Sequence, residues 1–468
     1  MNLRKIAVVV ILLLAASACA GGGSDGDGTS TTAGGAPSGE EIVFWTAEDN
    51  TVRVEATKDI AEAFTAETGI PVNVVAIAED QLSAQVSAAA AADDLPDLFG
   101  AISLGFVHSL AADEFLDTDA AGEIIDSLGR DTFASSALDL VSVDGTPVAV
   151  PSDGWVQLLV YRTDLFEAAG LAVPDNYEAI REAALALNSD DMAGIVAATG
   201  PADSFTQQTF EYFAVGNGCE VVDDAGAVTI ASPECVGTFE FYSDIIQNGS
   251  VPGLQDADTT RASYFAGQSA MIVWSSFLLD EMGGLRSDAL PTCPECEDNP
   301  SFLVENSGIV SALSGPDGEP ALFGEVVSFA VVDGGNVEGS KAFIEYMMSD
   351  GYVDWLALAP EGKIPVRLGS ADNPTEYAEA WQGLETGVDS RAPLSELYSE
   401  EVLTGLTEGV TTMKRWGFAQ GQGHLVGPLL VELPIPRALA LALDGSLDAS
   451  GAAQEAEAGV TEIVESVG

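Results

Sequence analysis

Positive charge is scarce in this chain. Sixteen Lys plus Arg stand against 74 Asp plus Glu in 468 residues, a formal net charge of −58. Such a chain repels phosphate, which excludes nucleic acid as a partner. Anionic small solutes are disfavoured too, because no local Arg cluster offsets the acids. Those acids are scattered and form no Asp-x-Asp-x-Asp-Gly loop, so they read as solvated surface and no metal site is expected. Histidine is rarer still, with only His108 and His424. No nucleophile elbow, phosphate loop or His-rich metal motif appears, which argues against an enzyme and gives no reason to expect a cofactor. Chance carboxylate pairs keep a secreted glycoside-active enzyme open as an alternative, since a retaining glycosidase needs only two carboxylates ~5 Å apart. Long apolar runs are also missing beyond the first twenty residues: "MIVWSSFLL" stops at Asp280 and Glu281, well short of the ~20 residues a membrane span needs.

The beginning of the chain is built differently. Arg4 and Lys5 precede an apolar run from Ile6 to Ala16, the layout of a secretory signal. Ser17-Ala18-Cys19 then resembles a bacterial lipobox, although Ala16 stands where Leu is usual. Residues 1–18 are expected to be removed and Cys19 to carry a lipid, which anchors the protein to the membrane without spanning it. Residues 20–39 hold no aromatic and almost no aliphatic side chain, so 19–40 reads as anchor and flexible linker.

Cysteine is sparse but even once Cys19 is set aside. In an exported chain Cys219, Cys235, Cys293 and Cys296 are expected to form disulfides, with three connectivities possible. The favoured one is Cys219–Cys235 and Cys293–Cys296. A four-cysteine zinc site is disfavoured because Cys219 and Cys235 are not a close pair.

The remaining length suits two lobes. "EIVFWTA", "IPVNVVA" and "LPDLFGAI" read as strands, with helices between them at Ile60/Phe64 and Leu82/Val86/Ala90 spacing. That order predicts a largely parallel sheet with ligands beyond the strand ends. A further strand is expected to end at Pro151, and 444–468 to form a closing helix pair.

Six stretches in this order resemble a family: "IVFWTAED", "IAEAFTAETGIPVNVV", "LPDLF", "GTPVAVPSDGWVQLLVYRTDLF", "FAGQSAMIVWSSF" and "SKAFIEYMMSDGYVDWLALAPEGKIPVR". Together they are similar to the extracellular solute-binding proteins of ABC importers, in the carbohydrate-binding group related to maltose-binding protein. The resemblance implies an α/β periplasmic-binding-protein-like fold of two lobes, 41–151 plus 305–364 and 152–304 plus 365–468. Hinge segments would cross near Pro151, Asn306 and Pro365. It implies a monomer that captures a small-molecule carbohydrate and delivers it to membrane permease subunits. A betaine-like cation or a peptide is the alternative ligand.

Sugars offer an apolar ring face and a rim of hydroxyls, which call for aromatic platforms among carboxylates and amides. By resemblance, Glu48 and Asp49 match polar ligand contacts, and Trp155 falls where the group carries a contacting acid. Phe277 falls on its stacking tryptophan, with Trp274 beside it. Gln207 and Phe210 lie on or near its second-lobe aromatic stretch. The loop after "PDLF" lacks the aromatic and acid of the maltodextrin binders, which puts a maltodextrin-specific site in doubt. Trp416 is added from the residues alone, because its Gly/Gln-rich surroundings cannot bury it locally.

Overall fold

The computed structural model describes residues 39–467. The signal segment, Cys19 and most of the linker lie outside them. β1 (Ile42–Thr46) turns Ile42, Phe44 and Thr46 into the core, the alternation its sequence carries. Asn50 then caps the helix Thr51–Thr68 by accepting from the backbone N–H groups of Val52 and Arg53. Ile60 and Phe64 are buried on its inner face. β2 (Val72–Ala76) returns parallel to β1, with Ile42 opposite Val72. The helix Glu79–Ala92 follows, and β3 (Leu98–Ser103) joins β1 on its other side, with Phe44 opposite Leu98.

The rest of the eight-stranded sheet is antiparallel, where sequence order suggests a largely parallel one. β4 (Val150–Arg162) runs straight through Pro151 instead of ending there. β5 (Met271–Ser275), β6 (Ser307–Val310), β7 (Gly324–Val331) and β8 (Ile364–Pro365) all lie antiparallel to it. β7 also lies antiparallel to β3. The chain reaches β7 from the far half of the molecule and so enters the sheet from the opposite end, which a strand–helix–strand pattern does not reveal.

β4 serves both halves. Val150 to Val156 pair with β7 in the half that holds β1–β3, while Gln157 to Arg162 pair with β5 and β6 in the other. The chain crosses between halves at three adjoining places. Gln157 donates its backbone N–H to the Phe323 carbonyl at 3.0 Å, and Phe323 bridges to Lys414 in parallel. The crossings are thus Trp155–Gln157, Phe323–Glu325 and Met413–Arg415. Asn306 instead lies before β6 inside the second half, and Pro365 pairs with Asp153 on the first. Two of the crossings run on within β4 and into β7, so composition does not mark them.

Two clusters of buried side chains fill the molecule. The larger surrounds β1–β3 and β7 and continues onto Val160, Tyr264, Ile272 and Leu278 of the other half, and the smaller holds Phe210, Phe213, Tyr242, Trp416 and Leu439. The segment 365–468, grouped with the second lobe in the sequence reading, touches both halves: Trp416, Leu425, Leu439 and Val460 lie in the smaller cluster, and the Tyr398 hydroxyl donates to the Leu279 carbonyl, whereas Arg367 and Tyr377 lie against the first half. The Arg367 guanidinium reaches Thr132, Leu128, Tyr377 and Met348 and ties the start of the segment to the first half. The C-terminal end is one helix, Ala449–Val467, packed on Pro434–Leu443, in place of a pair within 444–468. Cys219–Cys235 and Cys293–Cys296 are disulfide-paired, as favoured above. Among the described residues no single helix is long and apolar enough to cross a membrane.

Candidate functional site

A cleft of about 1300 Å³ opens beside the crossing strands and is lined from both halves. Of the eight residues singled out above, it brings together Glu48, Asp49, Trp155, Trp274 and Phe277. Glu48 and Asp49 follow β1 at its carboxyl end. Trp155 sits on β4 at the crossing, opposite Glu325. Trp274, the penultimate residue of β5, donates its indole N–H to the Ala257 carbonyl at 2.9 Å and lies 5.8 Å from the Phe205 ring. Phe277 begins the next short helix and lies against the loop at Gly362.

Gln207, Phe210 and Trp416 do not line this cleft. The helix Ser204–Gly216 faces it with Ser204, Phe205 and Gln208, one helical face, and turns Gln207 and Phe210 away into the smaller cluster's side, where both are buried. The resemblance points to this helix, but Gln207 and Phe210 lie on the face away from the cleft. Trp416 is also buried: its indole N–H donates to the Cys219 carbonyl at 2.8 Å, and Phe210 lies 6.2 Å away. Its partners come from about two hundred residues upstream, so local composition could not show them.

The structure adds lining residues that sequence reasoning missed: Asp153, Phe205, Gln208, Glu79, Glu325 and Lys363. Asp153 lies two residues before Trp155 on β4 and so shares its face. It is fully buried. Its Oδ1 accepts from the Ser152 hydroxyl at 2.8 Å and the Trp355 indole at 2.6 Å, with Lys363 Nζ at 3.5 Å, while its Oδ2 has no partner among the described residues. That free oxygen suits a ligand hydroxyl or ammonium group.

Polar contacts fix the surroundings. Arg53 lies 3.4 Å from both Glu48 and Glu361, and Glu361 accepts from Thr386 at 2.5 Å. At the crossing, buried Arg415 bonds Glu325 and Glu211, the latter at 3.1 Å. Glu211 also accepts from the Trp416 backbone N–H at 2.8 Å, and Glu325 from that of Leu104 at 2.9 Å. This buried triad joins the helix Ser204–Gly216, β7 and the start of the helix Leu104–Ala112. Burial opposes the Arg415 charge, but Glu211 and Glu325 outweigh it and hold the guanidinium above its ordinary range. Glu79 is raised by enclosure first, then by the charges of Glu325, Asp49 and Glu48.

Rings among hydrogen-bonding groups can bind a solute that is apolar on its faces and polar at its rim.

Comparison with known proteins agrees. The model of the bacterial extracellular solute-binding protein family matches residues 48–354. An Escherichia coli (strain K12) protein, YcjN, named provisionally as an ABC transporter periplasmic-binding protein, is 25% identical over 309 residues, 64% of this chain and 66% of that one. Among solved structures, the cyclic alpha-maltosyl-1,6-maltose binding protein from Arthrobacter globiformis superposes with a TM-score of 0.68 at 18% identity, over 91% of this chain and 99% of that one. Maltose-bound MalE3 of T. maritima gives 0.66 at 19%, over 91% and 100%. Those likenesses carry the two-lobed fold, and the family match carries the class: this chain belongs to the bacterial extracellular solute-binding proteins.

Proposed function

We propose that this chain is the substrate-binding component of an ABC importer that takes a carbohydrate in the cleft. The observation that carries this reading is the set of Trp155, Trp274 and Phe277 rings in one cleft with Asp153, Glu48 and Gln208. Aromatic faces stack on pyranose rings, and the carboxylates and amide take the hydroxyls. The solved relatives named for maltose and for a cyclic maltosyl-maltose support a saccharide ligand. The name of the E. coli relative supports permease partners. The protein binds and releases its solute without chemistry, as a monomer, and hinge closure over the crossing strands completes the contact set. Lipidation at Cys19 would keep it at the membrane beside its transporter.

A thermal-shift panel of neutral mono- and oligosaccharides, betaines and peptides on the purified protein tests this. The expected result is stabilisation by one or more saccharides. Stabilisation by a betaine or peptide alone would overturn the carbohydrate reading.

A further inference from the structure

The charges around the cleft do not balance. Arg53 is shared by Glu48 and Glu361. Lys363 faces Asp153 and lies 4.1 Å over the Trp355 ring. Arg415 is held between two glutamates. Every cation here is therefore matched or outnumbered. Asp49, Glu79 and Glu432 line the cleft and form no ion pair among the described residues. The negative surplus is general to this chain, but one feature is local to the cleft: Asp153 is fully buried, lines the cavity, and its Oδ2 has no hydrogen-bond donor.

We propose that the cleft selects saccharides carrying a positive charge, amino sugars or amine-bearing oligosaccharides, over their neutral and acidic counterparts. This rests on the carbohydrate reading above. A neutral hydroxyl can donate to Asp153 Oδ2, but it leaves the mutual repulsion of Asp49, Glu48, Glu79 and Glu325 in place. An ammonium group on the sugar relieves it. Between low-dielectric walls the field of several like charges is focused, so one positive charge interacts with all of them. The rings of Trp155, Trp274 and Phe277 add their negative faces to the same attraction. Uronic acids carry the same sign as the surplus carboxylates and are repelled by them.

The test is titration calorimetry with matched sugars that differ in one substituent: glucose, glucosamine and glucuronate, and 1,4-linked glucose dimers in both anomeric forms with their amine and carboxylate counterparts. The amine member is expected to bind at least about tenfold tighter than its neutral match, about 1.4 kcal/mol. The acidic member should show no heat. The preference should shrink with added salt and in Glu79→Gln, with circular dichroism as the control for folding. A neutral sugar that binds as tightly as its amine match overturns the proposal and leaves the carbohydrate reading standing. No heat with any member removes both. A preference that 1 mM calcium abolishes would place a metal ion, not a ligand amine, among these carboxylates and also overturn it.

Discussion

Phe277 lies against Gly362 because a glycine leaves it room. A Cβ at position 362 would stand 1.9 Å from the Phe277 ring. Gly362→Ala must therefore push the ring off this loop. Calorimetry on that variant should show saccharide binding weakened by about tenfold, with the fold intact by circular dichroism; unchanged affinity would mean that the ring's position is irrelevant to the site. The next residues carry a second consequence. Asp280 is fully buried with neither carboxylate oxygen partnered among the described residues. Burial, then Glu361 and Glu281, push its carboxyl up to about 8. Burial also raises Glu281, to about 7, against the opposing pull of Arg261 and Arg286. A carboxyl raised in the folded state binds more protons folded than unfolded, so stability falls as pH climbs from about 4 to about 8 and levels off above. Melting temperature should drop between about pH 5 and pH 8, and the drop should be smaller in Asp280→Asn. A steeper or unchanged slope in the variant would contradict the assignment.

At the scale of elements, the two halves also meet away from the crossing strands. The helix Val426–Glu432 packs on Leu104–Ala112 through glycines: a Cβ on Gly105 would lie 3.1 Å from Gly427 Cα, and one on Gly427 3.0 Å from Ser109 Oγ. The cleft wall formed by Leu430 and Val431 hangs from this contact. Gly427→Val should wedge the helices apart, which small-angle scattering would register as a larger radius of gyration and calorimetry as weaker binding; neither change would appear if the contact were incidental. Helix and strand identities were readable wherever local periodicity decides burial, as with Ile42/Phe44/Thr46 in β1 or Ile60 and Phe64 in the helix Thr51–Thr68. What was not readable depends on distant partners. The antiparallel entry of β7, the tie of Arg367 to the first half, and the burial of Trp416 beneath Cys219 and Phe210 all arise from contacts far apart in sequence. The cleft was half legible for the same reason. Glu48 and Asp49 just after β1, and Trp155 and Trp274 within strands, line the cleft and were picked out from order and resemblance, whereas Phe205 and Gln208 required knowing which face of their helix turns inward.

For the whole molecule, two α/β halves share one long strand, β4, and three adjoining crossings flanked by a buried Glu211–Arg415–Glu325 triad. A buried triad specifies alignment more than it stabilises, because desolvation offsets much of its attraction. In the proposed closure, bending would be confined to these short segments and would carry Glu48 and Asp49 against Trp274 and Phe277, with Trp155 at the pivot. A contact set divided in this way favours the closed state only when a ligand occupies it. The central claim is that a saccharide is held by these rings. Its most direct test is calorimetric titration of the saccharide that gives the largest thermal shift into wild type, Trp155→Ala and Phe277→Ala. Loss of a stacking ring in a closed site costs on the order of 2–4 kcal/mol, so each variant should bind at least about tenfold more weakly with an unaltered circular dichroism spectrum. Wild-type affinity in both variants would contradict the account.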